Sequence, residues 1–88
     1  MNISPAEARL KKLRMRSWRR GMKEMDLILG PYADAHIAGL SAADLDSYEQ
    51  LLDENDQDLY LWVTGAKDCP ERLSLMLDQI ARASGVGR

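Results

Sequence analysis

Apolar residues recur along this chain at intervals of three and four, and no stretch alternates long enough to specify a strand. Ser4 is placed to N-cap a first helix, with Pro5 in its opening turn and Glu7 two positions on. Leu10, Leu13 and Ser17 share one face of that helix, and Met15 and Trp18 form a second apolar pair three apart. Gly21 suits a left-handed position closing the helix, so Arg16, Arg19 and Arg20 are expected in its last turn, at the negative end of the dipole. A second helix is expected from Met22, carrying Met22, Met25, Leu29, Tyr32 and His36 on one stripe. Gly30-Pro31 predicts a kink or a fresh start within it, and Gly39 its end.

The stretch "LSAADLDSYEQLLDEN" gives the clearest helix. Ser41 and Asp44 make an S-x-x-D variant of the capping box, and Leu45, Tyr48 and Leu52 mark the buried stripe with Leu51 alongside. "NDQDLYLWVTG" predicts a short helix capped by Asp56, stopped at Gly65 and burying Leu59, Trp62 and Val63. Pro70 opens a last helix with Leu73, Met76, Leu77 and Ile80 inward. The fold class expected is therefore all-α, a compact bundle of about five short helices in one domain over 1–88, with 1–4 and 84–88 frayed.

Charge is distributed unevenly. The net value of −2 conceals +7 over residues 1–23 and −9 over residues 24–88, a polarity that speaks to partners more than to fold. No uncharged stretch is long enough to span a membrane, and the first ten residues lack the apolar core of a secretory signal. The lone Cys69 allows no internal disulfide, which indicates a reducing compartment: the cytoplasm, or a mitochondrial matrix for a processed form.

Catalytic apparatus is hard to assemble from these residues. His36, the single histidine, falls on an apolar stripe and reads as packed or half-buried; with one cysteine it cannot make a tetrahedral zinc site. Asp53, Glu54, Asp56 and Asp58 lack the glycine and distal glutamate of a calcium loop and read as a solvated acidic turn. Neither G-x-x-x-x-G-K-S/T nor G-x-G-x-x-G occurs. The expectation is a non-enzyme with no catalytic, metal or cofactor-binding residue of its own.

Two readings compete for the basic segment. Arg9, Lys12, Arg16 and Arg20 form one row that could neutralise phosphates, as in a small helical nucleic-acid-binding regulator. The acidic remainder of the chain opposes this, and arginine equally suits bidentate contacts to a protein partner. Within "RRGMKEMD", Arg20 precedes Glu24 by four. An intrahelical ion pair prefers the opposite order, so mutual stabilisation alone is a poor reason for the pair.

Three stretches together carry a resemblance: an R-x-R-x-x-R-R-G-x-x-E-x-D run, an L-x-x-Y-x-x-L-L-x-x-x-D helix and a D-x-D-L-Y-x-W segment, over about residues 9 to 66. In their order and spacing they resemble the succinate dehydrogenase assembly factor 2 family, also called the bacterial FAD assembly factor SdhE. The resemblance implies a five-helix, chaperone-like protein that binds the flavoprotein subunit of succinate dehydrogenase, and in bacteria that of fumarate reductase, and promotes covalent attachment of FAD to it. FAD then belongs to the partner rather than to this chain. The family's RGxxE surface corresponds to Arg20, Gly21 and Glu24, with Arg16, Met22 and Asp26 in the surrounding run. A monomer is expected, with neither nucleic acid nor direct membrane insertion.

Overall fold

Ser4 Oγ accepts the backbone N–H of Glu7 at 3.1 Å, and Ser41 Oγ accepts that of Asp44 at 3.1 Å, so two helices begin at the residues whose chemistry marks them. A computed structural model describes residues 3–85. Helix α1 spans Pro5–Trp18, α2 Lys23–His36, α3 Ala42–Leu52, α4 Asp56–Val63 and α5 Glu71–Ser84, with a single 3-10 turn, Ile37–Gly39, after α2. No strand occurs among the described residues. The all-α, five-helix architecture follows from the periodicity of the chain.

Helix α5 packs against α2, α3 and α4, while α1 packs against α2 and α3. The centre is formed by Leu13, Met25, Leu29, Tyr48, Leu51, Leu59, Leu73, Leu77 and Ile80, all essentially inaccessible. Truncating one of these leucines to alanine costs about 2–5 kcal/mol, a large part of what a domain of this size has to lose. One polar link crosses this core. Ser17, fully buried, donates to the Leu13 carbonyl at 2.8 Å and lies 2.6 Å from the Tyr48 hydroxyl. The phenol is thereby satisfied where a bare hydroxyl would be costly.

Several local expectations are overturned. Helix α1 ends at Trp18, with Arg19 as C-cap at φ −124° and ψ 54°. Positive φ occurs at Gly65 and Gly85 among the described glycines, and not at Gly21. Of the three arginines assigned to the last turn, only Arg16 is there. Pro31 neither breaks nor restarts α2, which runs through it. Gly30 presents no Cβ to the proline ring, and Leu27, whose carbonyl loses its partner, lies on the solvent side at 59% exposure. The cap of α4 is Asn55, accepting from Gln57 N–H at 2.8 Å, rather than Asp56.

Burial differs at a few positions. His36 is exposed, its ring 5.0 Å from that of Tyr32, instead of packed or half-buried. Met15 and Trp18 keep 45% and 41% of their surface. Leu45 and Trp62 are only partly buried. Of the ends expected to fray, Ser4 caps α1 and Ser84 closes α5, while 1–2 and 86–88 lie outside the described residues.

Candidate functional site

The basic row of α1 meets the acidic edge of α3 in step. Arg9 donates to Asp46 Oδ1 at 2.6 Å and to Glu49 Oε1 at 3.1 Å, and Arg16 donates to Asp53 Oδ1 at 2.7 Å. Arg20 then donates to Asp56 Oδ1 at 2.6 Å. The pairs Arg9–Asp46 and Arg16–Asp53 are each 37 residues apart, and Arg20–Asp56 is 36 apart, as two helices running side by side in the same direction require. Part of the charge asymmetry therefore closes within the molecule. The acidic turn is ion-paired rather than simply solvated, since Glu54 also holds Arg72 at 2.6 Å. The acidic partners of the outer pairs, Asp46 and Asp53, stand in solvent, where screening leaves such pairs weak.

Arg20 is different. Its side chain is 10% exposed and that of Asp56 15%, and every arm of the guanidinium is used. Besides the Asp56 bond, Nη1 donates to the Leu52 carbonyl at 2.7 Å and Nη2 to the Glu54 carbonyl at 2.9 Å. These carbonyls lie at the C-terminal end of α3, where a cation satisfies unpaired acceptors and the negative end of the dipole together. The backbone around it is held as firmly. Arg20 N–H donates to Asp26 Oδ1 at 2.5 Å, and Gly21 N–H to Asp56 Oδ2 at 2.6 Å. Two carboxylates thus clamp two successive amides of the 19–22 linker, Asp26 from α2 and Asp56 from α4.

Outside this clamp lie Gly21 and Glu24, both exposed. Glu24 occupies the second position of α2, where a carboxylate suits the positive end of the dipole. It makes no capping bond, because the N-cap is Met22, which has no side-chain cap hydrogen bond. Met22 leans on the core as a partly buried residue. Asp26 and Arg16 are half-buried in the contacts given above. Of the six residues singled out from the sequence, Gly21 and Glu24 face outward, while Arg20 and Asp26 hold the linker between them.

Two relationships lay beyond sequence reasoning. The signal for Asp56 is its place as an acid just beyond the α3 row in a chain with such separated charges. Trp18 lies across Gly30 so closely that a Cβ there would come within 2.3 Å of its ring, and its indole N–H donates to Asp34 Oδ2 at 3.0 Å. The indole thus fills the space that a side chain at position 30 would need, which accounts for a glycine in mid-α2.

Among the described residues no group of acids, histidine and cysteine is arranged to hold a metal ion. An open groove of about 630 Å³ lined by Tyr32, His36, Leu40, Gln79 and Arg82 runs between the far end of α2 and α5. Among the described residues no helix is long and apolar enough to cross a membrane.

The R-G-x-x-E linker is thus fastened at two successive amides by carboxylates of α2 and α4. Residues 11–84 match the model of a family described as the flavinator of succinate dehydrogenase, and the chain belongs to that family. It is 36% identical over 91 residues to succinate dehydrogenase assembly factor 2-A, mitochondrial, of Drosophila yakuba, covering 96% of this chain and 56% of that protein. The mitochondrial succinate dehydrogenase assembly factor 2 of Meyerozyma guilliermondii is 45% identical over 58 residues, 66% of this chain and 43% of that one. That of Yarrowia lipolytica is 38% identical over 69 residues, covering 75% and 48%. The chain spans about half the length of these curated relatives.

Proposed function

We propose that this protein binds the flavoprotein subunit of succinate dehydrogenase through Gly21 and Glu24 and promotes covalent attachment of FAD to that subunit, with fumarate reductase flavoprotein as a second client where one is made. The observation that carries this reading is the division of labour in the linker. Arg20 faces inward on four hydrogen-bond partners' worth of structure, backbone clamp included, while Gly21 and Glu24 are left exposed on a support that cannot easily shift. Such a preformed stub lowers the ordering cost of association.

The chemistry of flavinylation resides in the cofactor and the flavoprotein. The helper favours the arrangement of a mobile subunit in which the flavin ring meets its acceptor side chain, and it shifts that equilibrium only by its differential affinity for that arrangement. One copy suffices, and it acts in the compartment where the flavoprotein receives FAD, a bacterial cytoplasm or a mitochondrial matrix. The alternative of nucleic-acid binding loses support from the pairing of Arg9, Arg16 and Arg20 within the chain.

Purification from the native host tests the proposal. Co-elution of a large flavoprotein subunit is expected. Sub-micromolar, steeply salt-dependent binding to duplex DNA, without such a subunit, would overturn it in favour of the regulator.

A further inference from the structure

Gly21 carries no positive φ, so its backbone conformation is open to any L-residue and does not by itself call for glycine. A Cβ built on it would lie 3.3 Å from Asp56 Oδ2, the same oxygen that accepts the Gly21 N–H at 2.6 Å. Asp56 has little room to yield, because its other oxygen is held by Arg20 Nε at 2.6 Å and its side chain is 15% exposed.

From this geometry we infer that Gly21 is a glycine on account of Asp56, and that Asp56 is a positioning residue for the docking linker. The carboxylate bridges the Arg20 guanidinium and the Gly21 amide, and so sets the path by which the chain presents Gly21 and Glu24. A methyl at position 21 acts from within: it crowds a carboxylate that must give by a few tenths of an ångström while held by Arg20, and so loosens the bond to the residue-21 amide without needing to touch a partner. The inference rests on the docking reading above, and its test separates the two.

Affinity for the purified flavoprotein subunit of succinate dehydrogenase is measured by calorimetry for wild type, Gly21→Ala, Asp56→Ser and the double variant. Each single change weakens binding about tenfold, as loss of a charge-assisted hydrogen bond would. The double variant binds as Asp56→Ser does, within about twofold, because the methyl no longer has a carboxylate to displace. Losses that multiply to about a hundredfold would place the methyl against the partner and overturn the inference. A second measurement needs no partner: the Gly21 amide proton of the wild-type chain exchanges slowly with solvent, and the residue-21 amide exchanges faster in Gly21→Ala. An unprotected wild-type amide would overturn the clamp, even if Asp56→Ser fails to fold. A wild-type chain that shows this protection but does not bind the flavoprotein would sink the docking reading alone.

Discussion

The guanidinium of Arg20 and the carboxylate of Asp56 meet at 2.6 Å across 36 residues of chain, in a pocket that leaves them 10% and 15% exposed. The arginine that heads the R-G-x-x-E motif is thereby a structural residue. It ties the α1–α2 linker to the end of α3 and the start of α4, and it gives Glu24 a fixed base to project from.

Arg20→Ala leaves Asp56 without its partner and two carbonyls at the end of α3 without donors. Removing one side of a pair this sheltered costs about 3 kcal/mol, and in a chain of this length that lowers the melting temperature by more than about 10 °C. Arg20→Lys recovers less than half, since an ammonium cannot reach three acceptors with the geometry of a planar fork. Thermal and urea denaturation followed by circular dichroism check both. A melting curve for Arg20→Ala that matches wild type would remove Arg20 from the scaffold.

Burial pushes the Tyr48 phenol up to about 12, against partial relief from the Ser17 hydroxyl and the Arg20 and Arg16 charges. The unfolded chain ionises this tyrosine near the ordinary value of 10, so above that pH it binds fewer protons than the folded chain. The stabilising contribution is complete below pH 10 and lost as pH climbs toward 12, by about 2 kcal/mol for this residue. Tyr32, also raised by burial, adds in the same direction. Stability measured from pH 8 to 12 should fall more steeply for wild type than for Tyr48→Phe. Parallel curves would mean that the phenol is solvated.

Gly30→Ala sets two effects against each other. Alanine gains about 1 kcal/mol of helix propensity, but its methyl falls within 2.3 Å of the Trp18 ring. Trp18 is 41% exposed and can swing away. The expected result is a red-shifted tryptophan emission, loss of the Trp18–Asp34 bond and stability within about 1 kcal/mol of wild type. Emission unchanged in Gly30→Ala but shifted in Trp18→Phe would show that the ring tolerates the methyl.

Much of this architecture was legible from the sequence. The stripes through Leu13, Met25, Leu29, Tyr48 and Leu73–Ile80 are buried as their spacing requires, because a 3.6-residue period is a local property of the chain. What escaped was set by partners distant in sequence. The conformational freedom of Gly21 does not stop α1; the linker after it is held by carboxylates six and 35 residues away. No fresh start occurs at Pro31, because the residue before it lacks a Cβ and the affected turn faces solvent. In the R-G-x-x-E run, the spacing groups Arg20, Gly21 and Glu24 together. It carries no information on which side chain turns inward, because Asp56, the partner that decides this, lies 36 residues from Arg20.

The central claim is that docking and folding are divided between neighbouring residues, with Glu24 outside and Arg20 inside. The most direct measurement is covalent flavin on the flavoprotein subunit, read as in-gel fluorescence after co-expression with wild type or Glu24→Ala, alongside the melting temperature of each. Glu24→Ala should melt within about 0.5 kcal/mol of wild type, as an exposed substitution does, while the fluorescent band falls severalfold. A band of undiminished intensity with a well-folded Glu24→Ala would contradict the account.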